Sequence, residues 1–425
     1  MNEGNSISFE DKKYMYHALL AMANVELARD YLLKPLKRKL YQLIVNNDKN
    51  NQKPKERLKE YHFIIALLES TVRNLKRGYI SKSVFKQLVQ TIVYGIFLES
   101  DYKRRQSRIM FQYDHGMMPP DFIALTISKK CSNNVAYKWN RLPDEPATCL
   151  PYQSINRVIS ESIRKFGCRF VVLYGGEPFL YNDTNKTILD LFKKYSQVFF
   201  LVFTDGTHLT EKIADQLADQ ANVSLVISLD GVKNQIDAKN GNGTYNTIMD
   251  SLDHLRKRGI PFGIQLNVDK SNIDAILKTN FYKYFFDEVH ASFLLHTQLP
   301  SNEDRLAEFQ PLSLEEKMKL DERIKEHVEK DRYCIADFSN NLLFNNPKDY
   351  ERESPRYIYI NADGNISHSL HLPYYVGNIH SIYKNGTDLS KAIITDHVVN
   401  VNSPRFKRQI KSFLGHSKKE HYRMN

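Results

Sequence analysis

Arg169-Phe170-Val171-Val172-Leu173-Tyr174-Gly175-Gly176-Glu177-Pro178-Phe179 is the stretch on which the fold turns. Five apolar and aromatic residues, Phe170 to Tyr174, run straight into two glycines, a carboxylate and a proline. This is the signature of a buried strand that ends abruptly at a ligand-bearing loop. Five further apolar runs of similar length surround it: 122–127 (FIALTI), 198–203 (VFFLVF), 223–228 (VSLVIS), 262–268 (FGIQLNV) and 292–296 (SFLLH). Segments of helical length lie between most of them, at 153–166, 184–195, 210–221 and 244–259. Repeated strand-then-helix order demands a parallel sheet, because a parallel return needs a crossover. Periodicity alone leaves two arrangements open, a doubly wound sheet and a partial barrel.

Outward from this core the pattern changes. From Phe9 to about Tyr113 the apolar spacing is three and four, as in Tyr61, Ile65, Leu68, Val72 and Leu75, which predicts helices interrupted by the polar stretch 46–54. The His115–Pro120 stretch then stops helical character. Beyond a charged helix at 313–331, the runs 356–360 and 365–370 flank Asn361-Ala362-Asp363-Gly364, and Asp-Gly suits a tight hairpin. The expected organisation is therefore a helical region at 1–115, an α/β unit at 119–300, and a helix, hairpin extension and basic tail at 301–425.

The formal charge of +11 is concentrated early, with 21 Lys and Arg against 12 Asp and Glu over residues 1–120. The charges are spread rather than interleaved with stacking aromatics, so a nucleic-acid interface has the least support. No apolar run approaches the roughly 18 residues a membrane span needs, and the N-terminus carries no leader pattern, so the expected location is cytoplasmic. Cys131, Cys149, Cys168 and Cys334 fit neither a disulfide framework nor a zinc site. They read as reduced thiols.

In a parallel sheet the ligand site lies at the carboxyl ends of the strands. There stand Gly175-Gly176-Glu177-Pro178, Thr204-Asp205-Gly206, Ser228-Leu229-Asp230-Gly231 and the loop Asp237 to Tyr245. This succession resembles the radical S-adenosylmethionine (radical SAM) superfamily, whose second strand carries Gly-Gly-Glu-Pro, whose third usually ends Thr-Asn-Gly and whose fourth ends Ser-Leu-Asp/Glu-Gly. The resemblance covers about residues 119–380. It implies an α/β fold, a partial parallel (β/α)6 barrel with an N-terminal helical region and a small C-terminal hairpin extension. It also implies that Gly175, Gly176, Glu177 and Pro178 receive the methionine amino group of S-adenosylmethionine, through their backbone and the carboxylate. Thr204, Ser228, Asp230 and Gln265 complete the cofactor rim. Lys239 and Asn240 stand where the family often has an arginine, which removes bidentate carboxylate recognition.

The same family needs CxxxCxxC after the first strand to hold three irons of a four-iron cluster. Here Cys131 is followed by Val135 and Lys138 in the other two positions. Valine has no donor atom and a protonated lysine is no ligand for iron. No iron–sulfur cluster and no metal ligand set are therefore expected, with Cys131 the remnant of the motif. The auxiliary-cluster hairpin of related enzymes, of the form Asn-Gly-Asp-Val-x-Pro-Cys, is matched by Asp363-Gly364-Asn365-Ile366-Ser367-His368-Ser369, with serine where a cysteine is required. His368, His371 and His380 read as scattered surface residues, whereas His296 is expected to point toward the barrel rim.

Four functions follow. The first is a cluster-less homologue that binds S-adenosylmethionine or a similar small ligand and acts by non-radical chemistry, with catalysis undecided. The second is a pseudoenzyme that meets a protein or peptide partner through its N-terminal helices, for instance as a subunit of an active radical SAM system. The third is a conventional enzyme whose cluster is held in an unrecognised way. A nucleic-acid module is the weakest.

Overall fold

The computed structural model describes residues 9–46, 54–97, 101–130, 148–229, 243–278, 280–297, 312–337, 357–368 and 375–395. Cys131, Val135, Lys138, Asp230, Lys239, Asn240 and His371 lie outside them.

Each expected strand run forms one. They are β1 (Phe122–Thr126), β2 (Phe170–Tyr174), β3 (Phe199–Thr204), β4 (Val223–Ser228), β5 (Phe262–Asn267) and β6 (Phe293–Thr297). They pair in chain order, all parallel. Helices fill the intervals, beginning with Tyr152–Phe166 after β1 and ending with Thr244–Lys257 before β5.

One observation separates the two sheet arrangements. The helices pack on a single face, where Ile123, Leu125, Val171, Leu173, Phe200, Val202, Leu225, Ile227, Phe262 and Ile264 join helical residues such as Ile155, Leu191, Leu217 and Leu252. A doubly wound sheet would need helices on both faces. The alternate residues form their own inner cluster, Ala124, Val172, Tyr357 and Tyr359 with Phe122, Phe170, Tyr174, Leu201 and Phe203 against them. This is the inner face of a partial barrel.

The hairpin extension is continuous with that sheet. Beyond β6 a short parallel strand, β7 (Ile335–Asp337), is added, and on the opposite edge β8 (Tyr357–Ile360) pairs parallel with β1. β9 (Asn365–Ser367) and β10 (Tyr375–Asn378) follow antiparallel, giving the order β10-β9-β8-β1-β2-β3-β4-β5-β6-β7.

At the N-terminus, α1 (Phe9–Asn24), α2 (Glu26–Ile44), α3 (Pro54–Lys76) and α4 (Lys82–Leu88) enclose a separate core around Met15, Met22, Leu36, Ile65 and Val84. α3 docks onto the amino-terminal end of the barrel, away from the rim: Ser70 Oγ donates to the Ser292 carbonyl at 2.7 Å and Asn74 Nδ2 to the His290 carbonyl at 3.0 Å. α5 (Tyr102–His115), expected to belong with the helical region, packs with the barrel. Phe111 enters the main core, and Asp101, which caps the helix, also holds Arg169 Nε at 2.8 Å. No helix among the described residues is long and apolar enough to cross a membrane.

Candidate functional site at the carboxyl rim

β1 and β2 continue to pair past their formal ends. Ile127 N donates to the Tyr174 carbonyl at 3.1 Å, Gly176 N to the Ser128 carbonyl at 2.7 Å, and Glu177 N to the Lys130 carbonyl at 2.7 Å. The Gly175–Pro178 strap is thus stitched along one edge to the loop that leaves β1. Gly175 is required by this approach, because a Cβ there would lie 2.9 Å from the Ser128 carbonyl oxygen.

Glu177 is engaged within the rim. Its side chain is fully buried, and its carboxyl group accepts from Phe179 N at 3.0 Å, Asp205 N at 2.8 Å and Thr204 Oγ1 at 2.8 and 2.9 Å. Burial, followed by the charge of Asp205, pushes its pKa up to about 8. One threonine proton cannot serve both oxygens, and a proton on the carboxyl completes the ring of bonds. The carboxylate that the resemblance assigns to a ligand ammonium braces the end of β3 against the strap. Thr204 is likewise consumed, accepting from Gly206 N at 3.1 Å.

Across the rim, Ser228, Gln265, Asn267 and Thr297 share the inner face through the registers Ser228 to Gln265 and Asn267 to Thr297. Gln265 Nε2 donates to Thr297 Oγ1 at 3.2 Å, and that hydroxyl donates to Asn267 Oδ1 at 2.7 Å. Thr297 was absent from the expected set. Phe293, Leu295 and Thr297 share a face of β6, and pairing with β5 turns that face inward.

Below the rim the inner face changes character. Tyr174 and Phe203 stack with ring centres 4.3 Å apart, Phe122 and Tyr357 at 5.1 Å, and Thr126 Oγ1 lies 2.7 Å from the Tyr359 hydroxyl. Among the described residues, no Asp, Glu, Lys, Arg or His occupies an inner-face position of β1–β6 or β8. A guest charged within this lumen would lose its hydration without a partner.

His296 corrects an expectation. It shares the helix-facing parity of Leu294, is fully buried beside Tyr282, and burial takes its pKa down to about 3. It does not reach the rim. Among the described residues no group of three or more His, Cys, Asp or Glu side chains could hold a metal ion.

The thiols divide by end of barrel. Cys149 is exposed and bridges to Ser128 at the base of the first-strand loop. Cys168 and Cys334 are buried just before β2 and β7, at the opposite end. Among the described residues, Cys149 is the one thiol beside the first-strand loop.

Comparison with known proteins agrees with this fold. Residues 131–279 match the model of the radical SAM superfamily. An AdoMet-dependent heme synthase of Methanosarcina barkeri is 25% identical over 163 residues, 38% of this chain and 46% of that protein. The sporulation killing factor maturation protein SkfB of Bacillus subtilis is 24% identical over 120 residues, 28% of this chain and 29% of that protein. The chain thus spans less than half the length of the curated relatives it matches. Among solved structures, Streptococcus suis SuiB bound to precursor peptide SuiA superposes with a TM-score of 0.50 at 13% identity, covering 94% of this chain and 84% of that one. Native anSMEcpe with bound AdoMet and Cp18Cys peptide gives 0.50 at 16% identity, covering 69% and 83%. The radical SAM resemblance is supported in sequence and in fold.

Proposed function

We propose that this chain binds S-adenosylmethionine at the carboxyl rim without an iron–sulfur cluster, and admits an uncharged, apolar part of a peptide into the lumen. The observation that carries the reading is the pairing of a locked Gly175–Pro178 strap with a polar arc across the rim, above a lumen whose strand positions carry no charge among the described residues.

S-adenosylmethionine, when bound, supplies an electrophilic sulfonium. The backbone of Gly175, Gly176 and Pro178 would meet its amino-acid end, and Ser228, Gln265, Asn267 and Thr297 its ribose and base. Glu177 and Thr204 would position the strap rather than touch the ligand. Asp230, expected at the same rim, would join Ser228 and Gln265. The peptides bound to SuiB and anSMEcpe motivate the choice of guest. The aromatic wall of Tyr174, Phe203 and Tyr359 suits an apolar side chain.

Titration calorimetry with S-adenosylmethionine, run beside an iron and sulfide assay of anaerobically reconstituted protein, tests both halves. Saturable binding with substoichiometric iron is expected. About four irons per chain would overturn the cluster-less reading, and absence of binding would overturn the pocket.

A second reading, a partner-binding subunit, is favoured by one observation. α5 exposes Tyr102, Ile109, Met110 and Tyr113, the last 85% accessible, along one face. Association with a protein or peptide that is independent of S-adenosylmethionine and lost in Ile109→Asp would support it.

A further inference from the structure

The hairpin turn between β8 and β9 reaches the same rim from a distant part of the chain. Parallel pairing of β8 with β1, in the register Leu125 to Ile360, brings Asn361–Gly364 beside the residues leaving β1. There the Asp363 carboxylate holds two partners. Oδ2 lies 2.8 Å from Lys129 Nζ, and Oδ1 accepts from Thr148 Oγ1 at 2.9 Å. Lys129 and Thr148 stand on the outgoing and returning legs of the first-strand loop, and Lys129 N donates to the Thr148 carbonyl at 2.8 Å. One carboxylate therefore clasps both legs.

The turn that presents it is itself rigidly held. Asn361 Oδ1 accepts from Asp363 N at 3.1 Å and Asn365 N at 2.9 Å, while Asn378 Nδ2 donates to the Asp363 carbonyl at 3.0 Å. Gly364 takes φ +79°, and a Cβ there would come within 2.9 Å of His380 and Ile379. Only glycine satisfies both conditions. The Lys129 side chain is 11% exposed and that of Asp363 37%, so the pair is partly withdrawn from solvent.

We propose that Asp363 is a positioning residue: by clasping Lys129 and Thr148 it fixes the Ser128 and Lys130 carbonyls that hold the Gly176 and Glu177 amides, and so sets the ligand-facing edge of the strap. The hairpin then serves the rim site directly, although it carries no cysteine. Its consequence for S-adenosylmethionine rests on the function proposed above.

The test compares full-length wild type with Asp363→Ala, Asp363→Asn and Thr148→Val by residue-resolved amide hydrogen exchange, and by calorimetry with S-adenosylmethionine. Asp363→Ala should speed exchange at Gly176 and Glu177 about tenfold while the amides of Leu225 and Ile264 are unmoved, and should weaken S-adenosylmethionine about tenfold. Asp363→Asn, which keeps an acceptor for Thr148 but loses the charge, should fall between. Unchanged exchange at Gly176 and Glu177 in Asp363→Ala overturns the proposal, even if affinity or melting temperature falls, because the effect would then bypass the strap. If wild type does not bind S-adenosylmethionine, the functional reading fails, and the exchange data still decide the clasp.

Discussion

Glu177 offers the sharpest test of how the rim is built, because its burial makes folding depend on pH in a calculable way. In the unfolded chain its carboxyl titrates near the ordinary value of 4.5, and in the folded protein at about 8. The proton is thus kept on folding across the interval between. Stability is greatest below the unfolded value and falls as pH rises toward the folded one. A shift of that size corresponds to about 4–5 kcal/mol in full, at about 1.4 kcal/mol per unit. Glu177→Gln removes the titration but sets an amide NH2 against either Phe179 N or Asp205 N, at a cost of about 1–3 kcal/mol. Urea unfolding of both proteins at about pH 5, 6, 7 and 8.5 should find wild type more stable at the acid end, with its advantage shrinking or reversing by pH 8.5. A stability difference that stays constant across that range would mean the three donors keep the carboxylate ionised. The locked, proton-bearing strap would then be wrong, and a charged Glu177 available to an ammonium group would be restored.

Asp205→Asn should move the Glu177 midpoint down without returning it to 4.5, since burial outranks the Asp205 charge as a cause; the same urea series reads the shift. His296 behaves oppositely: its folded value of about 3 against 6.5 means stability held above 6.5 and lost as pH falls, by up to about 4–5 kcal/mol, and His296→Leu should abolish that acid limb of the unfolding profile. Gly263→Ala should destabilise by about 1–3 kcal/mol in equilibrium unfolding, because the new methyl overlaps the Phe293 ring in the lumen. Iodoacetamide under native conditions should label Cys149, which is exposed, and spare Cys168, whose thiol is buried and pushed up to about 11, as peptide mass mapping would read.

The linear sequence carried the strands, their order and the loop chemistry, because these depend on short-range pattern. Runs such as 223–228 alternate Val, Leu and Ile with Ser and Val on the opposite face, and Gly-Gly-Glu-Pro can only close a strand at such a place. The Asp363-Gly364 turn is equally local. What local pattern could not supply was direction. β6 is apolar on both faces at its centre, so nothing in 293–297 distinguished a His296 facing the rim from one facing the helices; pairing with β5 decided it. The aim of the Glu177 side chain depended on Thr204 and Asp205 arriving from the next strand. The three-residue β7 lacks enough residues to show a period, and β8 finds β1 more than 200 residues away. Such pairings are selected by buried area and edge hydrogen bonds summed over the whole sheet, once loop closure has been met. For that reason the clasp of Asp363 on Lys129 and Thr148 exists only in the tertiary structure, although each of its residues is plain in the sequence.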